Sequence, residues 1–264
     1  ALDQLVLHKT GFLSAPTGSG KTNILLSAIA RLKTPTIILT HTTGLLQQTA
    51  QRCRDWLGVE PGIIGAGTWN VKPITIAMIQ TLTKRPQAAE LRDLFGCVIA
   101  DECHHMPSVT MTAAMNLFAA RYKYGVTATP WRKDRLEQMM WLTLGPIVAT
   151  ISQKDVIAHG SVIKPTFEVV NTPFTFDLKD PKDWTTMITT LIRDTNRNTI
   201  VAGTVDHIMT CDATTRVLVL TDRVEHAYRL SDVLHEFGHD GCVLTGDQPK
   251  NALREKLDRV RAGV

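Results

Sequence analysis

A glycine-rich run with a lysine and a threonine is the first stretch of the chain that could do chemistry. It is Ala15-Pro-Thr-Gly-Ser-Gly-Lys-Thr22, between a predicted strand and a predicted helix. Glycines let successive backbone N–H groups turn towards one anion, and a helix beginning there adds its positive end. The run matches the Walker A pattern, except that Ala15 stands at the first glycine, and it predicts a triphosphate site. The alternative is a glycine-rich turn that binds nothing.

Seven residues of this loop are predicted to bind ATP: Pro16, Thr17, Gly18, Ser19, Gly20, Lys21 and Thr22. The Lys21 ammonium is expected at the β- and γ-phosphates, and the Thr22 hydroxyl is expected in the coordination shell of Mg²⁺.

Two adjacent acids follow the most apolar predicted strand, at 97–100. Asp101 and Glu102 would lie outside the carboxyl end of that strand, where open α/β sheets bind ligands. We expect Asp101 to hold Mg²⁺ and Glu102 to orient or deprotonate the attacking water. An isolated Asp-Glu pair is more often a surface feature. The loop upstream favours the catalytic assignment of Lys21, Asp101 and Glu102.

Cys103, His104 and His105 come directly after the acids, and all three residue types can bind zinc. Adjacent residues point in different directions, and no pair stands at zinc-ligand spacing, so a zinc site is not predicted. His105 is instead expected to bond to another motif and report the nucleotide state. A merely packed histidine is the alternative.

Strands and helices alternate along the first part of the chain. Strands are predicted at 11–15, 36–40, 74–77, 97–100 and 123–127, and helices at 21–32, 44–57, 87–94 and 109–120. This alternation favours an α/β fold with a mostly parallel sheet.

The pattern changes after Gly160, so domains are predicted at 1–160 and 161–264. In the second, strands are expected at 164–170, 216–221 and 241–244, and helices at 184–193, 198–209, 223–237 and 249–260.

Composition excludes several classes of protein. The 264 residues are 44% hydrophobic, enough for two globular domains, and no apolar run reaches the roughly 20 residues of a membrane span. A net charge of +4 permits a nucleic-acid partner without proving one. Five scattered cysteines without a C-x-x-C pair indicate neither disulfides nor a cysteine zinc site, and predict a cytoplasmic protein with reduced thiols. The two ends give the impression of a piece of a longer protein.

Together these motifs resemble the superfamily 2 helicases and translocases, in the branch with a DEAH-like motif. The resemblance rests on an ordered series: APTGSGKT at 15–22, THTTGLLQQT at 40–49, TIAMIQTL at 75–82, DECHH at 101–105, GVTATP at 125–130, VLVLTDR at 217–223 and LTGD at 244–247. It implies two RecA-like P-loop NTPase domains with mostly parallel sheets, the second incomplete here. It also implies ATP in the cleft and nucleic acid across both domains.

The resemblance also implies roles for further residues. Coupling of hydrolysis to strand movement would fall to Thr127, Ala128 and Thr129, and backbone contacts with nucleic acid to Thr40, Gln47 and Thr81. Each of these polar residues is equally compatible with a purely structural place.

Residues just after TATP resemble the xeroderma pigmentosum group B-like helicases, which act on DNA. Arg132 and Lys133 could engage a phosphate backbone there, although a solvated loop is the alternative. We therefore expect an ATP-dependent DNA helicase or duplex translocase. An RNA helicase, or a nucleotide-gated DNA-binding or restriction motor subunit without strand separation, are the other readings.

Two family elements are not found. No upstream glutamine can be assigned to adenine recognition, and the run that supplies arginine fingers does not occur in the 264 residues. An arginine finger contributes roughly 10³ to 10⁵ in turnover, so this chain alone is expected to hydrolyse ATP poorly.

Overall fold

The computed structural model describes residues 1–103, 109–129, 137–160, 162–180, 183–212 and 214–262. The chain divides into two compact units, 1–166 and 167–264. Residues 161–166, predicted to begin the second domain, belong to the first unit.

The first unit is built around a single sheet. Its strands are β1 (Thr10–Ser14), β2 (Thr36–Thr40), β3 (Gly62–Gly65), β4 (Thr68–Asn70), β5 (Ile74–Met78), β6 (Cys97–Ala100), β7 (Tyr122–Thr127) and β8 (Ile147–Thr150). Its α-helices are α1 (Leu2–Leu7), α2 (Lys21–Leu32), α3 (Thr43–Leu57), α4 (Ile79–Lys84), α5 (Val109–Asn116), α6 (Glu137–Leu144) and α7 (Gln153–Ala158), and a 3-10 helix covers Pro86–Leu91.

The strand order is β4-β3-β5-β2-β6-β7-β1-β8, and every pairing is parallel except that of β3 with β4. The carboxyl ends of β1, β2, β5, β6 and β7 therefore meet at one edge of the sheet. We call this the carboxyl edge, and it carries the predicted site.

Alternation along the central strands explains why the sheet is covered on both faces. Successive residues of a strand point to opposite sides. Phe12 and Val98 accordingly belong to the apolar cluster on one face, and Leu13 and Ile99 to the cluster on the other. Apolar residues at every position of β6 thus require helices on both sides, which fixes the three-layer arrangement.

The five predicted strands and most of the predicted helices of this unit are present. The structure differs from the prediction where the hydrophobic periodicity of the sequence is weak. The predicted helix at 87–94 is the short 3-10 helix. Seven elements were missed: α1, the two strands of the β3–β4 hairpin, α4, α6, β8 and α7. Most span only three to six residues, too few for periodicity to register. The hairpin turns at Gly67, which has φ +84°.

The described part of the second unit contains four helices and no strand. The helices are α8 (Trp184–Arg193), α9 (Thr195–Cys211), α10 (Val224–Glu236) and α11 (Lys250–Ala262). The strands predicted at 164–170, 216–221 and 241–244 are wrong for this structure: these segments contain no β-strand.

The segment at 216–221 gives the physical reason. Val217 and Val219 pack against the small α9–α10 core, but Leu218 and Leu220 are 77% and 82% exposed. The sequence pattern predicted burial on both sides. Since helices cover only one side of this segment within the unit, its other apolar side chains lie in solvent.

A buried polar network joins α9 to α10. The Thr221 hydroxyl lies 2.7 Å from His226 Nδ1, and His226 Nε2 lies 3.1 Å from Asn198 Oδ1. Asn198 in turn donates from Nδ2 to the Ile192 carbonyl at 2.9 Å, so its Oδ1 is the end that accepts from Nε2–H. This places a proton on Nε2 of His226.

All five cysteines are free, and Cys53, Cys97 and Cys103 are buried. Among the described residues, no helix combines the length and apolar character needed to cross a membrane.

Candidate nucleotide-binding site and nucleic-acid interface

The glycine-rich loop joins β1 to α2 at the carboxyl edge. Gly18 and Gly20 have φ values of +81° and +76°, which other residues adopt only with strain. Gly20 is the N-cap of α2, and Lys21 is its first residue. Free N–H groups of the first helical turn therefore point into the loop, as an anion-binding cradle requires.

Lys21 reaches across the loop to the acidic pair. Its Nζ donates to the Ala15 carbonyl at 3.2 Å and lies 3.9 Å from Glu102 Oε1. The side chains of Lys21 and Glu102 are 11% and 28% exposed. The structure thus brings the two predicted catalytic motifs, about 80 positions apart in the sequence, to one place.

Asp101 and Glu102 extend from the end of β6. The Asp101 amide donates to the Leu39 carbonyl of β2, which continues the ladder one residue past the strand. Asp101 Oδ1 accepts from the Glu102 amide at 3.0 Å, and Glu102 has a left-handed backbone with φ +51°. That conformation is uncommon for a residue with a Cβ, and its strain is typical of functional sites.

Burial raises the pKa of the Asp101 carboxyl, and the neighbouring charge of Glu102 adds to the rise. The Glu102 amide and the charges of Lys21 and Arg52 act in the opposite direction. A carboxylate held dry beside a second one is destabilised until a cation joins it. This electrostatic setting suits Asp101 as a ligand for a divalent cation.

Arg52 is a site residue that the sequence analysis missed. It lies on α3, and its Nη1 donates to Thr22 Oγ1. The available signal was weak: Arg52 stands between Thr49 and Cys53, both buried positions of an amphipathic helix, and so at the border of the buried face.

The cradle can be tested for its fit to a triphosphate. Ser19 Oγ is shielded from solvent and has no hydrogen-bond partner among the described residues, so a group is missing beside it. A Cβ at Gly20 would find only Asn23 Nδ2, at 3.9 Å, so this side of the loop is open. At Gly18 a Cβ would come within 2.4 Å of Val162 Cγ2, so that side is closed by Val162. Basic, hydroxyl and acidic groups around an open cradle fit ATP with Mg²⁺.

The coupling residues lie directly beside the loop. The Ala15 amide donates to the Thr127 carbonyl at 2.9 Å, so the last residue of β7 is bonded to the first residue of the loop. Thr127 is fully buried, and its Oγ1 accepts from the Thr129 amide at 3.1 Å. Ala128 is half-buried and Thr129 is exposed.

The residues predicted to contact nucleic acid fall into different environments. The side chain of Thr40 is fully buried and donates to the Ala77 carbonyl at 3.4 Å, because Thr40 is still part of central strand β2. Gln47 is exposed on α3. Thr81 is half-buried on α4.

Thr81 lines a cavity of about 300 Å³ at the carboxyl edge. The cavity lies between the β3–β4 hairpin and α4, and its lining is polar and basic: Gly67, Thr68, Gln80, Thr81, Lys84 and Arg85. Lys84 and Arg85 were missed by the sequence analysis, although they stand directly after the TIAMIQTL motif.

Three predicted residues, His105, Arg132 and Lys133, lie outside the described residues. Within the described ranges, no group of three or more His, Cys, Asp or Glu side chains could hold a metal ion.

Comparisons with known proteins agree with this geometry. The family model described as "Type III restriction enzyme, res subunit" matches residues 2–132. A DNA 3'-5' translocase XPB2 from Sulfurisphaera tokodaii is 38% identical over 141 residues, which are 53% of this chain and 32% of that protein. A putative DNA 3'-5' helicase Rad25 from Halobacterium salinarum is 24% identical over 268 residues, covering 100% of this chain and 43% of that protein.

The chain therefore spans 32% of the length of the first of these relatives and 43% of the second. Among solved structures, the Hef helicase domain of Pyrococcus furiosus matches with a TM-score of 0.53 and 16% identity, over 98% of this chain and 56% of that one. This likeness shows a shared α/β fold of RecA-like type. Fold, motif series and relatives agree: the chain belongs to the superfamily 2 helicases and translocases, related to the xeroderma pigmentosum group B-like proteins.

Proposed function

We propose that this chain is the motor of an ATP-dependent DNA helicase or duplex translocase. The observation that carries the proposal is the approach of Lys21 to Glu102, with Thr22 and Asp101 beside them at one edge of the sheet. A phosphate-binding cation, a hydroxyl and two carboxylates in this arrangement are the groups that nucleoside triphosphate hydrolysis needs.

Each residue then has a definite task. The loop 16–22 holds the phosphates with its N–H groups, and Lys21 moves from Glu102 to the terminal phosphates. Thr22 and Asp101 would hold Mg²⁺, which neutralises phosphate charge when bound. Glu102, released from Lys21, orients or deprotonates the attacking water.

Coupling would pass through the end of β7. The hydrogen bond between Ala15 and Thr127 connects the phosphate loop with Thr127, Ala128 and Thr129. A conformational change of the loop on hydrolysis would thus pass directly to this segment. A shift of the loop or of the segment would change the geometry of this hydrogen bond, as a contact that couples two conformational states requires.

The cavity beside Thr81 supports a track for a nucleic-acid backbone. Lys84 and Arg85 place two cations next to the Thr81 and Thr68 hydroxyls, which are phosphate-binding groups without base specificity. Exposed Gln47 lies on the helix that follows β2 at the same edge. DNA is favoured over RNA because relatives in the comparison are named for action on DNA.

Binding of a DNA duplex at several salt concentrations tests this track. Lys84→Ala/Arg85→Ala should weaken binding for all sequences alike and reduce the slope of log K against log salt by about 2. Lys9→Ala/Arg92→Ala is the matched control, because it removes the same charge from exposed positions that precede β1 and β6, at the opposite edge. Equal slopes for the two variants would refute the track.

A restriction-type motor that translocates without separating strands is the second candidate, and the match to the restriction-subunit family supports it. Displacement of a triplex-forming strand without unwinding of a forked duplex would favour this candidate. An RNA helicase is tested by comparing stimulation of ATP hydrolysis by RNA and by DNA. The free thiols fit a reducing compartment such as the cytoplasm.

A further inference from the structure

The cation next to Thr22 is an arginine from a different helix. Arg52 belongs to α3, and its guanidinium donates to the Thr22 hydroxyl, the group assigned above to magnesium. The same charge stabilises the carboxylate of Asp101, the second assigned ligand. One guanidinium thus serves both groups that a divalent cation would need.

Guanidinium and metal cannot share this position. Arginine has five donors and no acceptor, and it stays charged at any physiological pH. Mg²⁺ demands a compact octahedral shell of oxygen ligands and would be repelled by a positive group at the same oxygens. Arg52 must therefore leave Thr22 before the hydroxyl can serve a magnesium ion.

Arg52 has the means to do so. It is half-buried, in the second half of a 15-residue helix, and its contact with the loop is made by the tip of a long side chain. Lys21 shows the same kind of engagement, since its ammonium lies near Glu102 and bonds to a carbonyl of the loop. Both cations neutralise the acids at the edge of the cradle.

We propose that Arg52 is a resident cation at the magnesium position: it holds Thr22 beside Asp101 when no nucleotide is bound, and it is displaced when nucleotide and metal enter. Arg52 is thus a positioning residue that sets the magnesium requirement of the site. This inference rests on the proposed function, since it assumes that the loop binds a nucleotide with Mg²⁺.

The test is binding of the fluorescent nucleotide mant-ADP to the 264-residue chain, with MgCl₂ varied and separately with EDTA. Arg52→Met keeps the length of the side chain and removes its charge. The magnesium concentration for half-maximal binding should fall by roughly tenfold, the size expected from release of one hydrogen bond made by a charged group. In EDTA the same variant should bind mant-ADP more weakly, because a positive charge near the phosphates is lost.

Arg52→Met is expected to favour nucleotide binding at low MgCl₂ and to weaken it in EDTA. Effects of opposite sign distinguish displacement of Arg52 by magnesium from a simple loss of charge. Arg54→Ala is the matched control, since it removes the same charge from the same helix at an exposed ion pair with Glu60. It should leave both curves unchanged. Arg52→Lys, which retains the charge but not the planar fork, should lie between the parent and Arg52→Met.

The outcomes distinguish the two proposals. In the first outcome, the parent protein binds mant-ADP, and neither Arg52→Met nor Arg52→Lys changes its magnesium requirement. This result overturns the role of Arg52 and leaves the proposed function standing. Parent and Arg54→Ala proteins that bind no mant-ADP, with magnesium or without, overturn both. Circular dichroism of each variant establishes that it is folded before the titration.

Discussion

The ammonium group of Lys21 lies 3.9 Å from Oε1 of Glu102, so the phosphate-binding cation and the predicted catalytic acid neutralise each other in this structure. Both side chains are largely shielded, which strengthens their attraction relative to a surface pair. Separating them has a cost that the phosphates must offset when they draw Lys21 away. The contact therefore makes each partner sensitive to loss of the other.

Glu102→Gln should retain nucleotide binding and lose turnover. The amide cannot accept a proton from the attacking water, and loss of a general base lowers the rate by about 10² to 10⁴. Binding should persist or tighten, because Lys21 no longer has a charged partner to leave. Steady-state ATPase and mant-ADP titration measure the two quantities.

Lys21→Ala is the companion variant and should lose binding itself. If Glu102→Gln turned over ATP as fast as the parent, Glu102 would have no role in the chemistry.

Asp101→Asn should stabilise the nucleotide-free protein while abolishing its response to magnesium. Because the pKa of Asp101 is raised in the folded state, the folded protein binds this proton more readily than the unfolded chain does. Protonation of Asp101 therefore stabilises the folded protein at low pH, and this contribution is lost as pH rises through the folded pKa. At neutral pH the charged carboxylate destabilises the fold. Asparagine removes the charge and raises the melting temperature at pH 7.

The pH dependence checks this account. The difference in melting temperature between Asp101→Asn and the parent should shrink as pH falls towards the raised pKa. A difference that grows on acidification would contradict it.

Gly125→Ala should destabilise the first unit by about 1 to 3 kcal/mol. An added Cβ would come within 2.6 Å of Leu144 Cδ1 and 2.8 Å of Cys103 Sγ, both in the buried core behind the acidic pair. Urea denaturation gives the change in the free energy of unfolding. Gly44→Ala is the control: it lies in α3 with nothing within 4 Å, and its helix should gain up to about 1 kcal/mol.

Stability should fall as the buried His226 becomes protonated. Burial and the charges of Arg197 and Arg229 lower its pKa, so the unfolded chain binds the proton more readily. The contribution is complete above the unfolded pKa of about 6.5 and is lost as pH falls through the lower, folded value. His226→Gln should therefore lose less stability than the parent between pH 7.5 and 5.5, by urea denaturation.

His235 provides the matched control, because it is an exposed histidine of the same helix, paired with Asp240. If His235→Gln and His226→Gln flattened the pH profile equally, burial of His226 would not be the cause.

The approach of the glycine-rich loop to the acidic pair could be predicted from the sequence because its signals are local. The loop before Lys21 and the acids after 97–100 each stand at the end of an apolar strand, and parallel strands bring such ends together. Arg52 could not be predicted, since its contact with Thr22 depends on how α3 packs beside α2. Sequence alone could not decide whether Thr40 is buried, because a strand's last residue looks the same whether or not its neighbours continue past it.

The strand predicted at 216–221 failed for a different reason. Its apolar run indicates burial, but the sequence does not say how many faces neighbouring elements will cover. In the second unit, neighbouring helices cover only the face of this segment that carries Val217 and Val219.

The placement of β1 between β7 and β8 has a consequence for how the first unit folds. The glycine-rich loop follows β1, and both neighbours of β1 in the sheet come from much later parts of the polypeptide. Thr10–Ser14 pair with Lys123–Thr127, and β1 also pairs with the strand at 147–150. Closing such long loops is entropically slow, so a nascent chain emerging from the ribosome carries the loop exposed until the end of the first unit is made. On the proposed function, nucleotide affinity is thus acquired late in synthesis, when the acids and the segment 127–129 are already in place.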